Sequence, residues 1–256
     1  MWFANFVVKD GQIVIVNPML INADVKGLEL FVAADLSGDA VMQEELRNKV
    51  DLHALNQSRF KLPTRTIAKI FVFKLLYGAS AYGYTVDADF VHVGFSQKQW
   101  QAVIDEFYTK YKGIAEWHID IIKRAKRDGY LTIPSGRYFN YSPRRNDWGQ
   151  YKWPETTIKN YPVQGFGADI VKLARVEFYK RFVESRLPGE FICTVHDSLV
   201  VDTPQEVCYT IGKMLKDSVE YTPTLIKEWF NYDFSLPLFC EISIGKNLKD
   251  MEEIKL

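Results

Sequence analysis

Two carboxylates that close β-type runs, set almost a whole chain apart, place the strongest constraint on what this sequence can fold into. Asp24 ends an apolar run and opens the segment DVKGLELFVAADLSGD, with Glu29 five residues on. Asp197 lies in FICTVHDSLVVD, where two β-type runs flank His196, Asp197 and Ser198 as a hairpin flanks its turn residues. Placed side by side, two such tips would hold divalent cations. A strand-end aspartate taken singly is more often a cap or a turn residue, so the weight rests on the pair and on the sequence between them.

That sequence contains PTRTIAKIFVFKLLYG, a helix-compatible stretch with Arg65, Lys69, Phe73 and Tyr77 four residues apart and Gly78 as terminator. Each four-residue step advances about 40° around a helix, so all four side chains lie within a third of its circumference. Two cations and two aromatic rings on one side suit a phosphate tail and a flat base. The alternative is a solvated basic face packed through the two rings.

The remaining pattern is strands at both ends and helices between. FVVKDGQIVIV reads as a hairpin around Asp10-Gly11, leading through Pro18 into the strand that ends at Asp24. From Asp39 the pattern turns helical, with a short helix to about Lys49, another from Asp51, and then the Arg65 helix. Ser96 and Gln99 form a capping box that opens a long amphipathic helix expected to end near Gly129. Pro134 to Gly136 reads as a turn and the stretch to Pro154 as loop. A helix from about Val163 to Ser185, the Asp197 hairpin, a helix from about Gln205 and a final strand over Leu236 to Ile244 complete the chain.

Composition narrows the class. The 256 residues, 47% hydrophobic and 14% aromatic, suffice for one large domain or two interleaved ones. No apolar run approaches membrane-spanning length, and MWFANFVVKDG lacks the features of a signal peptide. Cys193, Cys208 and Cys240 are an odd number without metal spacing and read as reduced packing residues, giving a cytoplasmic expectation. Lys and Arg number 32 against 32 Asp and Glu, whereas nucleic-acid-binding domains usually carry a basic excess. Basic residues nevertheless gather at Arg59 to Lys74, at Lys123 to Arg127, and at Arg137 to Lys152, the last interleaved with Tyr138, Tyr141, Trp148 and Tyr151. Such interleaving suits a nucleic-acid groove, although the Lys123 cluster reads equally well as a solvated helix end.

Carboxylate, cationic helix and HD hairpin, in that order, resemble motifs A, B and C of the family A (polymerase I type) DNA polymerases. The connecting segments share the likeness: LSGD, DLH at Asp51 to His53, GYLTIPSGRYF, YPVQGFGAD and CEISIGKN. The resemblance implies an α+β right hand, an antiparallel palm interrupted by helical fingers, with palm at 1–38, fingers at 39–150 and palm again at 151–256. It implies DNA synthesis from dNTPs on a primer-template with two Mg²⁺ ions, which Mn²⁺ can replace. Asp24, Asp197 and the backbone carbonyl of Val25 would be the metal ligands. Arg65 and Lys69 fall where the family binds the triphosphate, Lys69 being counted with Asp24 and Asp197 as catalytic. Phe73 falls against the incoming sugar and base, and Tyr77 near the templating base. Glu29 matches a glutamate that crowds the sugar 2′ position and so favours deoxynucleotides. Gln164, Asn160 and Arg137 match primer-template contacts. His196 either approaches the primer terminus or serves only as a turn residue. Phe at position 73 rather than Tyr goes, in this family, with poor acceptance of dideoxynucleotides.

Three positions depart from the family pattern. Ser198 stands where its DNA polymerases carry glutamate, and HDS is what single-subunit RNA polymerases of similar fold carry. Lys74 replaces a small residue and Phe31 an arginine, changes expected to alter nucleotide affinity or fidelity. The family also places a thumb upstream of motif A, and exonuclease domains besides. The sequence is therefore read either as an excised fragment or as one half of a split polymerase whose thumb or exonuclease is a separate polypeptide, docking near Trp2, Phe3 and Phe6. The short run from Asp51 to Arg65 resembles polymerases of short-tailed bacteriophages. Fragments of a single-subunit RNA polymerase, or a non-catalytic DNA-binding subunit, are the rival readings.

Overall fold

The computed structural model describes residues 6–9, 12–15, 18–145 and 148–256, the first two stretches by their backbone. The Asp10-Gly11 turn, Trp2, Phe3 and the Phe6 side chain lie outside them. In chain order the elements begin with strands β1 (Phe6–Lys9), β2 (Gln12–Ile15) and β3 (Pro18–Val25). Seven helices follow: α1 (Leu28–Ser37), α2 (Ala40–Arg47), α3 (Leu52–Phe60), α4 (Arg65–Leu76), α5 (Ala81–Val86), α6 (Gln97–Lys110) and α7 (Lys112–Asp128). Short strands β4 (Tyr130–Thr132), β5 (Tyr138–Asn140), β6 (Arg144–Arg145) and β7 (Tyr151–Lys152) come next. Helix α8 (Glu155–Ser185), strands β8 (Glu190–Val195) and β9 (Ser198–Pro204), helix α9 (Cys208–Phe230), and strands β10 (Cys240–Gly245) and β11 (Met251–Ile254) complete the chain. The fold is α+β, with every strand pairing antiparallel.

By internal contacts the chain divides into two units, residues 1–28 with 167–256, and residues 29–166. The crossings fall within α1 and α8, whereas the sequence placed its boundaries at 38/39 and 150/151, in the connections flanking α1 and β7.

The first unit is built on a five-stranded sheet in the order β11-β10-β3-β9-β8. Strand β3 lies at its centre, pairing with β10 on one side and β9 on the other. Helix α9 packs on β3, β9 and β10. Its buried stripe, Ile211, Leu215, Val219 and Ile226, meets a sheet whose Ile21, Ala23 and Ile242 are buried in turn. Apolar area removed from water at about 25 cal/mol per Å² is what holds these layers together.

The second unit surrounds an aromatic core. Phe71 of α4 packs on Phe60 of α3, Tyr84 of α5, and Trp100 and Phe107 of α6, at ring-centroid distances of 5.1–6.3 Å. The buried Tyr84 hydroxyl donates to the Phe71 carbonyl at 2.8 Å. A second apolar cluster joins Ile121 and Ala125 of α7, Leu131 of β4, Tyr141 and Ile158 of α8.

Short strands β5, β6 and β7 occupy part of the stretch read as loop, and four further elements differ from the sequence reading, each for a non-local reason. Residues 28–37 form a helix although the helical pattern reads only from Asp39, because α1 is buried over most of its length and shows no amphipathic phase. The long helix opened by the Ser96 capping box is two helices, since Tyr111 leaves the helical conformation at φ −106, ψ 71. Tyr111 is fully buried and its hydroxyl donates to Glu45, which also pairs with Lys110 at 2.9 Å. Helix α8 begins at Glu155 and carries Pro162 inside it. An interior proline costs roughly 3 kcal/mol, but complete burial of Ile158 in the preceding turn recovers a comparable amount, about 1.5–3 kcal/mol. The last strand starts at Cys240, and β11, of sequence MEEI, adds an edge that no apolar alternation announces.

The break at Tyr111 is held by one buried residue. Asp39, 2% exposed, caps α2 through Met42 N at 2.8 Å and accepts from the first amides of α7, Gly113 N at 2.8 Å and Ile114 N at 3.3 Å. This approach requires glycine at 113, because a Cβ there would stand 2.7 Å from the Asp39 Cα. Gly113→Ala is therefore expected to destabilise the chain by about 1–3 kcal/mol, measured as a lower urea midpoint, while the exposed neighbour Lys112→Ala leaves the midpoint near wild type.

Candidate functional site

In the first unit the antiparallel register assembles the acidic residues. Asp24, one residue from the end of β3, is paired with Ser198 of β9 and with Glu241 of β10. Residues opposite one another in antiparallel strands project to the same face, so all three share one face of the sheet. The Ser198 hydroxyl donates to Asp24 Oδ2 at 3.1 Å, and Val25 N donates to the Asp197 carbonyl at 3.2 Å. Hairpin β8–β9 closes with Val195 opposite Ser198, leaving His196 and Asp197 as the two turn residues. His196 takes a left-handed conformation, φ +53, and is exposed. The turn thus sets the Asp197 backbone beside the end of β3.

Glu241 is the residue that sequence reasoning passed over in this cluster, although CEISIGKN was among the segments quoted. Its pairing with Asp24 is a matter of register, which no local pattern carries. Glu241 forms an ion pair with Lys26, and that hydrogen bond raises the Lys26 ammonium above its ordinary value.

Among the described residues no group of three or more His, Cys, Asp and Glu side chains is close enough to hold a metal. The donors offered are instead two carboxylates, Asp24 and Asp197, and the Val25 carbonyl. All are hard oxygen atoms, and two carboxylates fit Mg²⁺, which keeps several of its waters and takes few protein ligands.

In the second unit helix α4 carries two unlike faces. Ile67, Ala68, Phe71, Val72, Leu75 and Leu76 are buried in the aromatic core. Arg65 and Lys69 are exposed and Phe73 and Tyr77 half-buried, the last as the helix cap. Arg65 Nε donates to Asp51 Oδ2 at 2.7 Å, a solvated contact that an anionic ligand can displace. Lys69 lies 6.0 Å above the Phe73 ring.

The structure adds His53 to this face. Its ring stands 5.7 Å from Phe73, and its Nδ1 is buried without a hydrogen-bond partner among the described residues. Burial first, then Arg65 and Lys69, push the imidazole down to about 4, so it is neutral at pH 7. The sequence flagged DLH only as a connecting likeness. The tertiary contact between α3 and α4 is what brings His53 to the ring.

Gln164, Glu29 and Tyr77 meet in a third group. The Gln164 side-chain amide donates to Glu29 and, at 2.7 Å, to the Tyr77 hydroxyl. Burial, followed by the Glu29 charge, raises the Tyr77 phenol far above its ordinary value, so it stays protonated. Asn160 is half-buried one turn earlier on α8, and Arg137 is exposed at the start of β5, after the Pro134–Gly136 turn. Of the aromatic residues interleaved with basic ones, Tyr138, Trp148 and Tyr151 are exposed, whereas Tyr141 is 7% exposed and belongs to the core.

The atypical residues also find places. Lys74 is clamped between Asp87 at 2.5 Å and Asp89 at 2.8 Å, and it lies 5.3 Å from the Phe90 ring. Phe31 is buried at 6% exposure and acts in packing.

His53 and His118 give the folded chain a pH signature. Burial, then Lys159, pushes His118 down to about 3. In the unfolded chain both imidazoles titrate near pH 6.5. Their contribution to stability is complete above that pH and is lost as pH falls toward 4, because the unfolded chain takes up protons that the folded one refuses. The urea midpoint is expected to drop between pH 7.5 and pH 5, and the paired change His53→Gln, His118→Gln should flatten that slope.

Comparison with known proteins bears on both clusters. The family model for DNA polymerase family A matches residues 5–250. DNA polymerase I of Caldicellulosiruptor bescii is 26% identical over 238 residues, 90% of this chain and 26% of that protein. DNA polymerase I of Bacillus subtilis is 27% identical over 217 residues, 81% of this chain and 24% of that protein. The chain thus spans about a quarter of the length of these relatives. Among solved structures, the POL domain of Pol1 from M. smegmatis, in complex with DNA primer-template and dNTP, shares the fold. It aligns with a TM-score of 0.76 at 22% identity, covering 90% of this chain and 40% of that one. With nearly every residue inside the family match, the chain belongs to DNA polymerase family A.

Proposed function

We propose that this chain is the palm-and-fingers catalytic portion of a template-directed DNA polymerase, transferring a deoxynucleotidyl group from a dNTP to a primer 3′-hydroxyl. The observation that carries the reading is the strand register that sets Asp24 against Ser198 and ties the Asp197 turn to Val25. Palm corresponds to 1–38 and 151–256 and fingers to 39–150 in this reading. Asp24, Asp197 and the Val25 carbonyl hold divalent cations, which supply charge neutralisation and acidify the attacking hydroxyl when bound.

The chain's own residues position the other reactant. Arg65 presents a planar fork and Lys69 a compact charge to the triphosphate, and Lys69 neutralises the departing pyrophosphate. The primer 3′ oxygen attacks the α-phosphorus as the bond to pyrophosphate breaks. Phe73 packs on the incoming sugar and base without reading it, and neutral His53 braces the Phe73 ring. Gln164 holds Glu29 beside Tyr77, and this fixed carboxylate discriminates against a ribose 2′-hydroxyl. Asn160, Gln164, Arg137 and His196 contact primer-template. A further polypeptide carrying thumb or exonuclease would supply basic duplex-gripping surface, in keeping with the zero net charge of this chain.

Primer extension with Mg²⁺ and all four dNTPs tests the reading. Wild type, assayed with and without a thumb-bearing polypeptide, is expected to extend the primer, and Asp197→Ala to lose at least about a hundredfold in rate. Equal extension by Asp197→Ala, or none by wild type under either condition, would sink it. Glu29→Ala is expected to raise ribonucleotide incorporation relative to deoxynucleotide, read from single-nucleotide insertion kinetics.

A further inference from the structure

We infer that Glu241 is a positioning residue for the divalent cation of the proposed function: a third carboxylate that acts through the water shell the ion retains, with Lys26 competing for it. The inference rests on that reading for the cation and on the sheet for everything else.

Strand β3 has two unlike faces. Ile21, Ala23 and Val25 are buried, whereas Leu20, Asn22 and Asp24, which alternate with them, are half-buried on the other face. Pairing carries this division to the neighbouring strands. The buried Leu199 and Ile242 lie opposite Ala23, and Ser198 and Glu241 lie opposite Asp24. The row across the sheet therefore reads Ser198, Asp24, Glu241. On one flank Ser198 gives Asp24 a hydrogen bond and no charge. On the other, Glu241 is the only acidic residue of β10 and stands where its charge acts on whatever Asp24 holds.

The spacing favours an outer contact over an inner one. Opposed residues of antiparallel strands have Cβ atoms about 4.5–5.5 Å apart, and no three acidic, His or Cys side chains among the described residues are close enough to hold one ion. Mg²⁺, however, keeps several of its waters, and these donate to carboxylates in the next layer, where such partners orient the inner ligands.

Lys26 sets where Glu241 points. Its amide donates to the Phe239 carbonyl at 2.9 Å, which extends the β3–β10 ladder past Val25, so alternation returns the Lys26 side chain to the face of Asp24. Its ammonium pairs with Glu241 and draws that carboxylate toward the end of β3, where Val25 N also meets the Asp197 carbonyl. Both partners are about half exposed, so the pair is solvated and readily exchanged. Lys26 also feels the charge of Glu253, which lies opposite Ser243 on β11, and is not left without a counter-charge when Glu241 turns to the cation.

Mn²⁺ binding to the full chain, read from the electron paramagnetic resonance signal of the free ion, tests the assignment without turnover. Asp24→Asn marks the site and should remove the binding it carries. Glu241→Gln should weaken Mn²⁺ binding about tenfold, Glu241→Asp, which keeps the charge, should retain most of it, and Lys26→Met should tighten it because the competitor is gone. Adding Glu241→Gln to Lys26→Met separates the two possible roles. A loss of about tenfold in that background supports action on the ion, whereas no loss there means that Glu241 only neutralises Lys26 and overturns the proposal. Thermal melts confirm that each variant is folded. Unchanged binding by Glu241→Gln alone overturns the proposal and leaves the proposed function in place. Wild type that binds no Mn²⁺, or whose binding Asp24→Asn leaves unchanged, overturns it too, and primer extension run alongside then shows whether the proposed function falls with it.

Discussion

The pairing of β3 with two strands from the far end of the chain is the constraint on which the acidic cluster depends. Because β3 lies between β9 and β10, residues remote in sequence are fixed at neighbouring positions by backbone hydrogen bonds rather than by side-chain contacts. Asp24, Ser198 and Glu241 share a face through that register, and the Asp197 turn is drawn in by an amide of β3 itself. A one-residue slip would send every one of these side chains to the opposite face. The buried stripe of α9 on Ile21, Ala23 and Ile242 penalises such a slip, so packing of the sheet and placement of the carboxylates are one problem with one solution.

The helical unit solves a different problem, which is to expose a defined face of α4. Packing Phe71 among four other aromatic side chains orients the helix about its axis, and Arg65, Lys69 and Phe73 face outward as a result. The bend at Tyr111 belongs to the same economy. A straight helix from Gln97 to Asp128 could not bury Tyr111 against Glu45, and Asp39 supplies the acceptors that the interrupted backbone would otherwise lack.

What was legible in the sequence is what local pattern encodes. Period-two runs around a turn marked the Asp197 hairpin, the four-residue spacing of Arg65, Lys69, Phe73 and Tyr77 with Gly78 marked α4, and the Ser96–Gln99 box and Gly129 marked the outer ends of α6 and α7. What was hidden depended on distant partners. Helix α1 is buried too evenly to show a phase, the cap of α7 comes from Asp39, and Pro162 is tolerated because Ile158 is held by α7 and β4. The same division applies to the candidate site. Asp24 and Lys69 could be named from motifs, whereas Glu241 and His53 join the clusters only through strand register and helix packing.

The clamp on Lys74 carries a consequence for how this sequence can change. Asp87 and Asp89 both depend on a single ammonium, and that ammonium holds the Asp87 carboxyl below its usual range. Replacing Lys74 by a small residue in one step would leave two neighbouring carboxylates facing each other across the vacated position, next to the ring of Phe90. Replacing the aspartates first would strand a partly buried cation. The three positions are therefore expected to drift as a set, with neutral residues entering at 87 or 89 before the lysine is lost. A descendant carrying a small residue at 74 should bear the trace of that order in its loop.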